Sequence, residues 1–167
     1  MEFVPPTSRG SFEERLQAAL GEIPFNELIP QLEEERIEFV SRIAEAVEDA
    51  AGVTRVEVHV EWVANGAMRA YLFPEHRFIT GTKALPFAPR VAHIDRDGSV
   101  DIFQGSTLPA RQIALWMSDH REGAIEKDDL RSAMVRCGYP SDKAEEWIHW
   151  AQGDGELTPV DGETVRL

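Results

Sequence analysis

His93, Asp95 and Asp97 alternate along the chain, so an extended strand would bring one imidazole and two carboxylates to the same face. Imidazole nitrogen with carboxylate oxygen is a donor set that suits a divalent cation. The same residues run into Asp97-Gly98, a turn dipeptide, and as a polar strand end they need no metal. That second reading is preferred, and no metal or cofactor is expected. His59-x-Glu61 supplies half of a zinc hydrolytic site, whose other half is a Pro-Cys-x-x-Cys pair. The chain has a single cysteine, Cys137, which excludes that site and any internal disulfide. Cys137 falls at a core helical position and reads as a buried, inert thiol. His76 and His120 stand alone and read as structural. His149, beside Trp150, reads as a surface group able to titrate near neutral pH. No phosphate-cradling, dinucleotide-binding, nucleophile-elbow or His-Glu-x-x-His spacing occurs. No catalytic residue is assigned.

The elements that would position these groups fall into two parts. Ser11 followed by Glu14 has the spacing of a capping box and predicts a helix over 12–20, stopped by Gly21. Pro30 suits the first turn of a second helix over 30–51, and Glu33, Glu34 and Glu35 complement its positive end. That glutamate run reads as a solvated helix face in preference to an acidic docking surface. Val40, Ile43, Val47 and Ala50 form one apolar stripe on this helix. From Thr54 the period changes to two. Val56, Val58, Val60 and Trp62 alternate with Arg55, Glu57, His59 and Glu61, which predicts a half-buried strand. Asn65-Gly66 predicts a two-residue hairpin turn with both residues at positive φ, leading into a strand over 68–73. A second hairpin around Asp97-Gly98 joins 91–95 to 100–103. Residues 78–89, with Gly81, Pro86 and Pro89, read as a loop or an edge segment. The expected class is α+β, with residues 1–105 as two helices on a small antiparallel sheet and Gly105-Ser106-Thr107 as the boundary.

Residues 106–167 repeat one helical stripe three times. Ile113, Trp116, Met117 and His120 are followed by Leu130, Ala133, Met134 and Cys137, then by Ala144, Trp147, Ile148 and Ala151. Ser141 is the expected N-cap of the third helix, and Trp147 is expected to be buried between the helices. Gly123-Ala124-Ile125 offers a short strand, and Asp161-Gly162 a terminal hairpin.

An EF-hand pair fits this layout poorly. Its first loop would offer only Ser118, His120, Glu122 and Asp129, and its second would begin at Trp150 and Gln152, whereas calcium needs six or more oxygens. The order of helix 108–120, strand 123–125, helix 128–137, helix 142–152 and hairpin resembles the winged helix-turn-helix superfamily over the last third of the chain. The resemblance implies that residues 106–167 form a winged helix. In DNA-reading members the third helix enters the major groove and the wing meets phosphate.

Charge argues against that use here. The 167 residues carry 30 acids and 17 bases, a net charge of −13, and only 3 of the bases are lysine. Residues 1–50 hold 12 acids and 4 bases, residues 51–107 hold 6 of each, and residues 108–167 hold 12 and 7. No segment is a basic patch, so nucleic-acid binding lacks its electrostatic footprint, although a salt-adapted cytoplasm would weaken that objection. The third helix exposes Asp142, Glu145 and Glu146, and a groove reader wants Arg, Asn or Gln.

The expected role is therefore non-enzymatic. The chain reads as a regulatory or scaffolding protein whose acidic winged helix meets a protein partner or a second copy, within a DNA-processing or transcription complex. The expected face consists of Lys143, Glu146, His149 and Trp150. Trp150 is read either as covered by the rest of the chain or as an exposed anchor. A DNA-binding transcriptional regulator is the alternative, and a metal-dependent enzyme using His93, Asp95 and Asp97 is the third reading. No apolar run approaches a membrane span and the N-terminus lacks a signal-peptide pattern, so a cytoplasmic protein without membrane contact is expected.

Overall fold

A computed structural model of the chain describes residues 12–25, 33–63, 66–75, 78, 85–104, 108–118 and 124–167. Ser11, Pro30, Asn65, His76, His120 and Gly123, on which parts of the sequence reading rest, lie outside the described residues. The molecule is mixed α/β, with five helices among the described residues and a four-stranded antiparallel sheet. Helices α1 (Phe12–Gly21) and α2 (Glu33–Ala51) come first. Strands β1 (Val56–Trp62), β2 (Met68–Pro74), β3 (Arg90–Ile94) and β4 (Val100–Gln104) follow as a meander in the order β1-β2-β3-β4.

Then come α3 (Ala110–Met117), β5 (Ile125–Glu126), α4 (Lys127–Arg136), α5 (Ser141–Gly153), β6 (Thr158–Pro159) and β7 (Thr164–Arg166). The last three strands form a second sheet in the order β5-β7-β6. No helix among the described residues is long and apolar enough to cross a membrane.

Side chains alternate across a strand, so each face of the larger sheet takes every second residue. Met68, Ala70 and Leu72 of β2, with Ala92 and Ile94 of β3, point at α1 and α2 and bury Leu16, Leu20, Phe39, Ile43 and Val47. The intervening Tyr71, Phe73 and Val91 enter a second core with Leu108, Ile113, Trp116, Leu130, Met134, Ile148, Leu157 and Val165. One end of the sheet is thus sandwiched between α1–α2 and the C-terminal helices. Phe73 and Trp116 stack with ring centroids 5.0 Å apart, and Trp116 Nε1 donates to the Pro74 carbonyl at 2.8 Å. This tie crosses the expected 105/106 boundary. It explains why β2 lacks the apolar–polar alternation of β1: it is covered on both sides.

Several expected details shift by one or two residues. Val63 N donates to Ala67 O, and with Trp62 facing Met68 this leaves three residues in the first loop, where the sequence predicts two. Asp95 N to Ser99 O closes a second loop of the same length, and Val160 N to Thr164 O closes a third. Gly66 (φ 76°) and Gly98 (φ 93°) take the left-handed position that ends such a loop. In the third loop Asp161 Oδ1 accepts from Glu163 N at 2.8 Å and Thr164 N at 2.9 Å instead. The turn dipeptides mark where each chain reversal occurs without setting its register.

The cap of α5 moves too: Pro140 is the N-cap and Ser141 the first helical residue. Trp147, expected between the helices, is 41 % exposed, and Trp62, on the apolar side of its strand's alternation, is 48 % exposed. Trp62 ends its strand beyond the cover of α1 and α2. Ala144, Ile148 and Ala151 already complete the buried stripe of α5, so Trp147, about 100° from Ile148 around the helix, falls on its flank.

The second core also fixes an alkaline limit. Burial pushes the Cys137 thiol and, reinforced by the Glu61 hydrogen bond, the Tyr71 hydroxyl up to about 12 each, and burial raises Tyr139 as well. These groups stay protonated in the folded protein at pH values where the unfolded chain has lost the protons. Their stabilisation is complete below pH 9, the ordinary value of the thiol, and is lost between there and about 12. Urea-unfolding free energy is expected to be flat in their contribution from pH 6 to 8 and to fall above 9. Cys137→Val should remove the lower part of that fall. A wild-type curve flat to pH 11 would contradict it.

Candidate functional site

Two surface regions gather the chemistry-bearing residues. The first lies on the face of the larger sheet that α1 and α2 do not cover. Strand register aligns Glu61 with Arg69, Arg69 with His93, and His93 with Asp101, a polar row across all four strands with two bases flanked by two acids. Tyr71 Oη donates to Glu61 Oε1 at 2.7 Å, and Arg69 lies 3.8 Å from the same oxygen. His93 Nε2 sits 3.1 Å from Asp95 Oδ1. Ser99 Oγ lies within reach of Asp95 Oδ2 and Asp97 Oδ1, at 3.2 and 2.8 Å.

Of the three expected ligands, His93 and Asp95 meet and Asp97 does not join them. Asp97 Oδ1 accepts the Ser99 backbone N–H at 3.0 Å, which holds its carboxyl below the usual range and makes it a turn clamp. An activated serine needs its base directly beside it. Here a carboxylate stands between Ser99 and the imidazole. Glu61 opposite Arg69 is an opposite-charge pair across strands, worth some tenths of a kcal/mol to this end of the sheet. His59 and Glu61 share this face. His59 is half-buried against Phe73 at 5.4 Å, with Glu57 Oε1 4.0 Å from its Nε2. Among the described residues no three His, Cys, Asp or Glu side chains come together as a metal site. Cys137 is buried.

The second region is α5. Its buried stripe of Ala144, Ile148 and Ala151 separates two flanks. One flank, with Glu145, His149 and Gln152, faces Lys127, Asp128 and Arg131 of α4 across a groove of about 260 Å³. That volume is below the ~300–1,000 Å³ of small-molecule pockets. Arg131 bonds Glu145 and Asp128 at once and ties α4 to α5, while Lys127 Nζ donates to the Gly162 carbonyl at 3.3 Å.

The other flank carries Lys143, Trp147 and Trp150, with Glu146 beside them. Lys143 Nζ lies 3.4 Å from Glu146 Oε2. The two indoles meet edge to face, centroids 5.5 Å apart, with Trp150 50 % exposed. Trp150 is therefore not covered by the rest of the chain.

The four expected face residues do not form one patch. Lys143, Glu146 and Trp150 cluster, whereas His149 belongs to the groove. Trp147, Lys127 and Arg131 are the residues that sequence reasoning missed. The signal for Trp147 was available, because three small or aliphatic residues already supplied a complete core stripe. The Arg131 contacts required knowing how α4 and α5 cross. Comparison of the chain with protein-family models, with curated proteins and with solved structures found no match.

Proposed function

We propose that this is a non-enzymatic regulatory or scaffolding protein whose C-terminal part is a winged helix that docks on protein through the tryptophan flank of α5. The order α3, β5, α4, α5, β6, β7, with β7 between β5 and β6, supports the winged-helix reading. The observation that carries the functional reading is the exposed Trp147–Trp150 pair. Tryptophan is the residue most enriched among those that dominate protein interfaces, and exposing two adjacent indoles to water has no benefit to an isolated fold.

DNA reading is disfavoured by the same surface. The nearby cations Lys127, Arg131 and Lys143 are each held by an oxygen of this chain, and Asp142, Glu145 and Asp154 are exposed around them. Turning such a face to phosphate would break ion pairs and bring like charges together.

The test is a mobility-shift series with random and candidate duplexes at 50 and 200 mM salt, on the wild type and on the Trp147→Ala/Trp150→Ala double variant. The reading expects no sequence-selective complex and no difference between the two proteins. Tight, selective binding that the double variant loses would overturn it.

A further inference from the structure

Lys143, Trp147, Trp150 and Asp154 are spaced four, three and four residues apart, the rhythm that keeps side chains on one seam of a helix meeting another helix. All but the end pair are aromatic, and the ends carry opposite charge. Both end charges oppose the dipole of their own helix: a cation in the first turn, and an anion at the C-cap. We propose that this seam pairs antiparallel with the same seam of a second copy of the chain, an inference that rests on the protein-docking reading above.

One two-fold axis, opposite the midpoint between Trp147 and Trp150, matches all four seam positions together. It sets each Trp147 against the other copy's Trp150, and each Lys143 against the other copy's Asp154. The helix dipoles then run antiparallel, and each charge that its own helix disfavours meets an opposite one. A two-fold interface must be self-complementary, and this seam is. Glu146, half-buried beside the seam, already lies 3.4 Å from Lys143, whose ammonium has three donors and can hold this carboxylate together with the other copy's Asp154. Glu145, His149 and Gln152 line the groove on the opposite flank, clear of the pairing, and Arg131 bonds Glu145 there.

Sedimentation velocity of the full chain over a thousandfold concentration range, at ~0.15 M salt, where the Debye length is about 8 Å, tests this. The wild type is expected to dimerise reversibly. Trp147→Ala/Trp150→Ala should weaken the dimer at least thirtyfold, since central aromatic anchors carry about 2 kcal/mol or more. Lys143→Asp alone and Asp154→Lys alone should each weaken it about fivefold to tenfold, as two pairs are reversed per dimer. The two reversals together should return it to within about threefold of the wild type.

Each reversal suits its own helix dipole better than the native residue, so the singles should fold at least as well as the wild type, which circular dichroism checks. A monomer at all concentrations overturns the second-copy proposal and leaves a different protein partner for this face. A dimer indifferent to the tryptophan changes overturns it by placing the contact elsewhere. A dimer that needs the tryptophans but is not restored by the double reversal overturns the antiparallel register. Failure of the docking reading itself appears separately, as selective DNA binding through α5.

Discussion

Trp116→Ala is expected to destabilise the protein by about 3–5 kcal/mol, the range for deleting a large aromatic side chain from a core. Trp116 is 1 % exposed and spans the two halves of the molecule, with its ring on Phe73 and its Nε1–H on the Pro74 carbonyl. Truncation leaves a cavity and an unmatched carbonyl in the same place. Total stabilities of about 5–15 kcal/mol make that loss large enough to bring a marginal protein close to unfolding. Trp147→Ala should by contrast change stability by less than about 1 kcal/mol, because nearly half of its surface is already in water. Urea unfolding followed by far-ultraviolet circular dichroism separates the two without relying on indole fluorescence. Equal costs at the two positions would contradict the assignment of one to the core and the other to the surface.

Phe73→Ala is expected to cost about 3–5 kcal/mol for the same reason. Phe73 is fully buried and meets both Trp116 and His59. The informative quantity is the double variant. Contacting residues share a cavity, so Phe73→Ala with Trp116→Ala should cost less than the two losses added, by about 0.5–1.5 kcal/mol. Strict additivity would show that the two rings do not stabilise one another across the junction of sheet and C-terminal helices.

How much of this was legible beforehand follows from the range of each signal. Periodicity is local, and the change from a 3.6-residue to a two-residue repeat at Thr54 located α2 and β1 within a few residues. Turn dipeptides are local as well. Asn65-Gly66 and Asp97-Gly98 located both hairpins, yet each loop has three residues, because a single left-handed glycine also closes that longer loop.

Long-range placement was not legible. Local pattern places helices on one face of the sheet, and the cover of one end of its other face by the C-terminal helices depends on Phe73 meeting Trp116 across more than forty residues of chain. The candidate site shows the same division. Lys143, Glu146 and Trp150 could be grouped from helical spacing alone. The Arg131 contacts to Asp128 and Glu145 depend on how two helices meet. Trp147 was misassigned because an indole on an apolar stripe is usually core, a tendency that the completed stripe of Ala144, Ile148 and Ala151 outweighs here.

The central claim is that the tryptophan flank of α5 meets protein. A photoreactive benzoylphenylalanine placed at Glu146, beside Trp150 and half-buried on that flank, tests it inside the cells that make this chain. The same probe at Glu38, exposed on α2, is the control. On irradiation, the probe at Glu146 should join the chain to polypeptide, a second copy being the expected product, and the control should not give that product. Adducts to nucleic acid from position 146, or the same protein adducts from both positions, would contradict the account.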